Sequence, residues 1–230
     1  MSPHSNLQSI RVYGKGGPNP PKVEIILSEL GIPHEFDSIT RNEVKSPAYL
    51  AVNPNGRLPA IHDPNGDLTL WESGAILEYI VEKYDKDQKL SFPPGSNEAF
   101  LAKQWLFFQT TGQGPYYGQA FWFERLHSEK VQSAIDRYVQ EINRVTGVLE
   151  VHLTKQKQLY GSQDGFDGPW LVGNKLSYVD LAFVPWQMVA VHCFGGESGR
   201  YKEADYPLVT EWLARLKARK TVYGRHAVAH

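Results

Sequence analysis

Glu72 and Ser73 stand directly before Gly74-Ala75-Ile76-Leu77-Glu78-Tyr79-Ile80, a run that reads as the opening of a helix. Backbone N–H groups at a helix start have no intrahelical partner, so together with the Ser73 hydroxyl they suit a carboxylate. The Glu72 carboxylate suits an ammonium, and the two residues together would grip the head of an α-amino acid. They also read as a plain helix cap, and the helix alone does not separate the two. Upstream, Arg57-Leu58-Pro59-Ala60-Ile61 has the apolar residues of a buried strand, yet Pro59 at its start removes a ladder donor. If the Leu58-Pro59 bond is cis, the Leu58 N–H and carbonyl point outward as an edge, to which an extended peptide could add like another strand. Residues 53–73 therefore pair a backbone edge with carboxylate and ammonium contacts, a combination suited to a small peptide-like molecule.

Such residues need a frame. Residues 9–13 read as a strand, Pro20 to Leu30 as a helix ending at Gly31, and residues 34–39 as a second strand. Asp63-Pro64-Asn65-Gly66-Asp67 is a turn signal, followed by Leu68-Thr69-Leu70-Trp71 as a further strand and the helix after Ser73. Strand, helix, strand, an irregular stretch, two strands and a helix form a thioredoxin-like layout. The polar segment KDQKLSFPPGSN at 86–97 reads as a linker, and the pattern beyond it is helical. The fold class is therefore α/β plus all-α, with residues 1–88 a thioredoxin-like domain and residues 89–230 a helical bundle.

In the helical half, residues 98–110 and 130–155 carry apolar residues at helical spacing, with Ile135, Tyr138, Val139, Ile142, Val145 and Leu149 on one face. Residues 158–168 read as a polar, mobile connection. Ser177 and Asp180 have the spacing of a capping box, with Asp in place of the usual Glu, so Asp180 is structural. Phe108, Gln109, Tyr116, Tyr117, Phe121 and Trp122 surround Gly112-Gln113-Gly114-Pro115. Glycines interrupting the helix there would open an aromatic groove for an organic co-substrate. Core packing explains Phe108 and Phe121 equally well, which leaves Tyr116 and Tyr117 as the better ligand contacts.

Composition removes several function classes. A net charge of −1 gives no electrostatic case for nucleic acid or an anionic membrane as main partner. No stretch approaches the roughly 20 apolar residues of a membrane span, and MSPHSNLQSI lacks the apolar region of a signal peptide, which points to the cytoplasm. A single cysteine, Cys193, allows neither an internal disulfide nor a C-x-x-C redox pair. It follows His192 on an apolar stretch and reads as a core thiol rather than a nucleophile. The histidines form no metal-binding spacing, so no metal is expected.

N-x-R-L-P-A, a turn, and then W-E-S-G-A-I-L together resemble the glutathione-binding half of the cytosolic glutathione transferase superfamily. W-L-F-F-Q at 105–109, G-x-G-P-x-x-G-Q at 112–119 and A-I-D-R-Y at 134–138 are similar to a narrower branch, which holds the bacterial nu-class transferases and fungal proteins related to the yeast nitrogen-catabolite-repression prion regulator. The resemblance spans residues 11–220 and implies glutathione as substrate, reduced or oxidised, a homodimer, and a reaction centre at the loop Gly14 to Lys22. Many transferases place Tyr, Ser or Cys there, whereas Asn19 matches the Asn of the nu-class pattern P-N-x-x-K. A side-chain amide and a helix N-terminus can stabilise a thiolate without moving a proton. Lowering a thiol from about 8.5 to about 6.5 requires only about 2.7 kcal/mol. On local sequence Asn19 also reads as an N-cap before Pro20.

Two departures from the pattern stand out. Gly17 replaces a Thr whose hydroxyl would support the sulfur. Val44 replaces a His or Gln at the glycine end of glutathione, where the neighbouring Lys45 would pair with the terminal carboxylate or remain an exposed loop charge. The resemblance adds Arg137 as a binding residue near the dimer boundary, although locally it reads as a helix charge or an ion pair with Asp136 or Glu141. The implied glutathione-binding set is Asn19, Lys45, Arg57, Leu58, Pro59, Glu72, Ser73 and Arg137, with Asn19 catalytic. The co-substrate set is Phe108, Gln109, Tyr116 and Tyr117. Three functions are compatible with it: a glutathione-dependent enzyme acting on a small disulfide, peroxide or electrophile; a glutathione-binding regulator with little chemistry; and a structural subunit of a larger assembly.

Overall fold

The computed structural model describes residues 6–40 and 42–222; the first five residues of the segment read above for a signal peptide lie outside the described residues. Two compact units are present, one running to Ser91 and taking in the chain again from Lys220, the other formed by Phe92–Arg219.

In the first unit, strand β1 (Ile10–Tyr13) leads to helix α1 (Pro20–Leu30), strand β2 (His34–Asp37), a 3-10 turn at Glu43–Lys45 and helix α2 (Pro47–Val52). Strands β3 (Ala60–Asp63) and β4 (Leu68–Trp71) and helix α3 (Ser73–Tyr84) follow. The sheet order is β2-β1-β3-β4, with β1 parallel to β2 and the other pairs antiparallel. This is the thioredoxin-like layout expected from the order of elements. Val12 lies opposite Phe36 on one side and Ile61 on the other. Ile10 and Val12 are buried while Arg11 between them is exposed, the alternation of a strand. Helix α1 buries Val23, Ile25, Ile26 and Leu27, and α3 buries Ile76, Leu77, Ile80 and Val81. Pro20 and Pro21 begin α1 at no cost in hydrogen bonds, because the first N–H groups of a helix have no partner to lose.

Asp63, at the end of β3, fixes the hairpin against α3. Its carboxylate accepts hydrogen bonds from Tyr79, Tyr84 and the Asn65 N–H and pairs with Lys83 at 2.9 Å. The strand and helix that meet at Glu72–Ser73 are thereby held to one another at their far ends. The polar stretch after α3 is also ordered, since Asp85 accepts the backbone N–H groups of Lys89, Leu90 and Ser91.

The second unit is helical: α4 (Asn97–Phe108), α5 (Gly114–Phe121), α6 (Gln132–Tyr160), α7 (Tyr178–Phe194) and α8 (Pro207–Lys217). Ile135, Val139, Ile142, Val145 and Leu149 of α6 are buried on one face, as their spacing requires, and Tyr138 is half-buried. Ser177 and Asp180 form a capping box on α7. Asp180 also accepts the Leu171 N–H at 2.9 Å and the Trp212 indole N–H at 3.0 Å, so one carboxylate ties a loop and α8 to the start of α7.

One expectation fails here. Gly112 and Gly114 do not interrupt the helix: α4 continues through a π turn at Gln109–Gln113 into α5, and a second π turn follows at Trp122–Leu126. Pro115 falls in the first turn of α5, where its missing N–H does no harm. The Phe107 carbonyl at the first π turn also accepts the hydroxyls of Thr110 at 3.2 Å and Thr111 at 2.8 Å. Among the described residues no helix is long and apolar enough to cross a membrane.

Candidate functional site

The start of α3 carries the first part of the site. Glu72, the residue before it, has φ 71° and ψ 114° and makes no side-chain capping bond. A non-glycine residue in that conformation is strained and needs surrounding structure to hold it. The first intrahelical bond runs from the Ile76 N–H to the Glu72 carbonyl at 2.9 Å. The N–H groups of Ser73, Gly74 and Ala75 therefore precede the helical ladder. Ser73 is buried and Glu72 is exposed. Plain capping by the Glu72 side chain is thus not what this geometry contains; a positive helix end lies beside an outward carboxylate.

Beneath them is Lys22, which the sequence reading passed over as a functional residue. It is only 2% exposed, and its Nζ lies 3.4 Å from Ser73 Oγ. Burial pulls the Lys22 ammonium down to about 7, and the charge of Glu72 opposes that shift. Its spacing carried a signal: Lys22, Ile25, Ile26 and Glu29 occupy one helical stripe, and all four are buried.

The second part is the loop before β3. The Leu58–Pro59 peptide bond is cis. The Arg57 carbonyl accepts the Tyr49 hydroxyl and the Asn53 side-chain amide, both at 2.7 Å, which holds the loop to α2. Pro59 is buried, Leu58 half-buried and Arg57 exposed. Lys45, also exposed, donates to the Asn55 carbonyl at 3.0 Å, so Lys45 and the Arg57–Pro59 stretch share one loop cluster. Gly14 follows β1 with φ 92°, and a Cβ there would fall 2.6 Å from the Leu58 side chain. The close approach packs the end of β1 against Leu58.

The loop from Gly14 leads to Asn19 at the start of α1. Asn19 is half-buried, and its backbone is already helical rather than in the extended form usual for an N-cap. Its side chain makes no capping hydrogen bond. Gly17 has φ 78°, a conformation that strains any side chain bearing a Cβ, so the Thr of the nu-class pattern would not fit this backbone unstrained.

In the helical unit, Arg137 pairs with Glu141 at 2.8 Å, the ion pair left open from sequence, and Arg144 shares the same carboxylate at 2.8 Å. Phe108 and Tyr116 are half-buried. Gln109 and Tyr117 are fully enclosed, which corrects their reading as groove residues. Gln109 donates to Gln113 at 3.0 Å, and the Tyr117 hydroxyl meets Thr146 at 3.0 Å and the Ile142 carbonyl at 3.2 Å. Both belong to the interior because the continuous helix turns them inward. Cys193 is half-buried against the core formed by Tyr117, Ile142, Trp186 and Phe194. Burial pushes its thiol up, against a weaker opposing effect of Arg125. Among the described residues no three His, Cys, Asp or Glu side chains gather as a metal site requires.

Residues 17–83 match the family model described as "Glutathione S-transferase, N-terminal domain", and residues 114–220 match "Glutathione S-transferase, C-terminal domain". The chain is 61% identical over 217 residues to the glutathione S-transferase-like protein tpcF of Aspergillus fumigatus, covering 94% of each. It is 36% identical over 233 residues to the transcriptional regulator URE2 of Saccharomyces cerevisiae, covering 90% of this chain and 64% of that protein. Among solved structures, the glutathione transferase URE2P6 of Phanerochaete chrysosporium in complex with oxidized glutathione superposes with a TM-score of 0.83 at 46% identity, covering 94% of this chain and 93% of that one.

Proposed function

The chain belongs to the glutathione S-transferase family, and on that footing we propose that it is a glutathione-dependent enzyme whose reactive sulfur is that of the bound tripeptide. In this reading the γ-glutamyl head sits at Glu72 and Ser73. The cysteinyl backbone adds to the Leu58 edge before Pro59, and the glycine carboxylate is met by Lys45 and Arg57. Asn19 and the N-terminus of α1 stabilise the thiolate. Residues 1–88 act as the glutathione-binding domain, and residues 89–230 supply the co-substrate pocket, with Phe108 and Tyr116 as its contacts. Arg137 is a further ligand contact, provided by the guanidinium that otherwise pairs with Glu141.

The observation that carries the reading is the start of α3, where uncommitted N–H groups and buried Ser73 adjoin an outward carboxylate on a strained Glu72. An amino-acid head needs both charges in that order. With Cys193 half-buried and its thiol raised, a protein thiolate is poorly supplied at neutral pH, which favours sulfur borrowed from glutathione. Disulfide reduction is the leading chemistry. A glutathione thiolate attacks one sulfur of a disulfide and releases the other as a thiol; a second glutathione then resolves the mixed disulfide to oxidised glutathione. The solved relative in complex with oxidized glutathione supports the reading to the extent that a similar fold accommodates this product. Conjugation, in which the thiolate displaces a leaving group such as halide, would use the same site. A homodimer is part of the reading, supported by Phe100 and Phe107, exposed apolar residues of α4, and tested by sedimentation.

Purified protein and its Asn19→Ala variant, assayed in parallel for reduction of a model disulfide and for conjugation of an aryl halide, test the reading. Disulfide turnover that falls about 10- to 100-fold in the variant, with glutathione affinity nearly kept, is expected for a lost hydrogen bond to a charged sulfur. Unchanged turnover in the variant removes Asn19 from the chemistry. Glutathione binding with neither activity would favour a regulatory protein, the reading to which the similarity with URE2 and the Val44 and Gly17 departures lend support.

A further inference from the structure

We propose that Lys22 is a positioning residue that orients the Ser73 hydroxyl toward the carboxylate of the incoming glutathione head, an inference that rests on the glutathione reading of the site. A lysine ammonium only donates, whereas a serine hydroxyl has one proton to give and lone pairs to receive. Lys22 Nζ lies 3.4 Å from Ser73 Oγ, at the long end of hydrogen-bond range, and Lys22 is enclosed on the inner side of that serine. With the ammonium donating into one lone pair, the Ser73 proton is turned away from Lys22. It then points with the N–H groups of the first turn of α3, where a carboxylate is held. A neutral lysine inverts this order, because its free lone pair can take the Ser73 proton inward and remove one donor from the ligand.

Two further features strengthen the coupling. Lys22 and Ser73 are both buried, so a cation, a hydroxyl and an anion in series there polarise one another. The cost of burial on the ammonium, already opposed by Glu72, is opposed further by a ligand carboxylate, so ligand and charged Lys22 favour each other. Helix α1 thereby contributes at two of the three residues of the tripeptide, with Asn19 toward the central cysteinyl sulfur and Lys22 under the γ-glutamyl head.

The test is a double-mutant cycle read by calorimetry with two ligands: glutathione, and the analogue in which 4-aminobutyrate replaces the γ-glutamyl residue and the α-carboxylate is absent. Lys22→Met keeps the length of the side chain and removes its charge. It should weaken glutathione about tenfold, the size of one charge-assisted contact, and leave the analogue unchanged. In a Ser73→Ala background the same substitution should have little further effect, because the hydroxyl through which Lys22 acts is gone. Equal losses for both ligands, or additive losses in the cycle, would overturn the proposal and leave Lys22 a packing residue. Failure of the unsubstituted protein to bind glutathione would instead overturn the glutathione reading itself. If Lys22 variants do not fold, the Lys22 Nζ resonance in 15N-lysine-labelled wild-type protein gives the answer: it should shift on adding glutathione and not on adding the analogue, and equal shifts would count against the proposal.

Discussion

Lys83 Nζ lies 2.9 Å from the Asp63 carboxylate and joins the last turn of α3 to the end of β3. Burial alone would raise the Asp63 carboxyl, but hydrogen bonds from Tyr79, Tyr84, Lys83 and the Asn65 N–H outweigh it and hold the group well below the usual carboxylate range. A folded-state value below the unfolded one gives stability that is present above about pH 4 and lost as pH falls further. Asp63→Asn should therefore cost about 1.5–3 kcal/mol at neutral pH, since it weakens the hydrogen bonds made to the carboxylate, while Lys83, 30% exposed, is left partly solvated. The gap to wild type should narrow as both are acidified. Urea midpoints at pH 7 and pH 3 check this, and a gap that stays constant with pH would refute it.

Gly14 and Leu58 set a second prediction. Gly14→Ala brings a Cβ to 2.6 Å from the Leu58 side chain on a backbone with φ 92°, so both packing and conformation oppose it. A loss of about 1–3 kcal/mol is expected from overpacking, with weaker glutathione binding because Leu58 must move. Wild-type affinity in a destabilised variant would show that the Leu58 edge does not touch the ligand.

Ser73→Ala combined with Glu72→Gln removes contacts to the amino-acid head, which is remote from the sulfur. KM for glutathione should rise at least tenfold while kcat changes little, the pattern of lost uniform binding. Equal retention of variant and wild type on glutathione immobilised with its head group free would contradict the assignment.

Cys193→Ala should leave glutathione-dependent disulfide reduction within about twofold of wild type, with a stability cost near 1 kcal/mol for the truncated side chain. Steady-state assays beside a melting curve separate the two effects. Loss of turnover in a well-folded variant would require a mechanism through the protein thiol.

How much of this was legible beforehand depended on whether the signal was local. Leu68–Trp71, Pro20–Leu30 and the Ser177–Asp180 box were readable because turn residues, prolines at a helix start and a capping pair act over a few positions. The ends of the other strands drifted: residues 9–13 and 34–39 shorten to Ile10–Tyr13 and His34–Asp37, since pairing across the sheet decides where a strand stops. Gln109 and Tyr117 were misplaced because Gly-Gln-Gly-Pro resembles a break, while contacts from distant Ile142, Thr146 and Gln187 keep the segment helical and inward. Lys22 was overlooked because lysine is so seldom enclosed that its place on an apolar stripe carried little weight. For Arg137, local sequence offered Asp136 and Glu141 as partners, and only the fold selects Glu141.

The π turn at Gln109–Gln113 behaves as a single surplus residue stored within a helix. Deleting Thr110 or Thr111 would let the chain return to ordinary α-helix. The helix on either side would keep its facing, because five residues of the wide turn sweep about the angle that four residues sweep in an α-helix. Trp105 and Leu106 would stay in the interior, and the contact changed is the local one from Gln109 to Gln113, which in turn grips Gln187 and the Phe183 carbonyl. The π turn thus acts as a length buffer for the helical unit: a one-residue change is absorbed between Gln109 and Gln113, and the faces that α4 and α5 present to the interior keep their register.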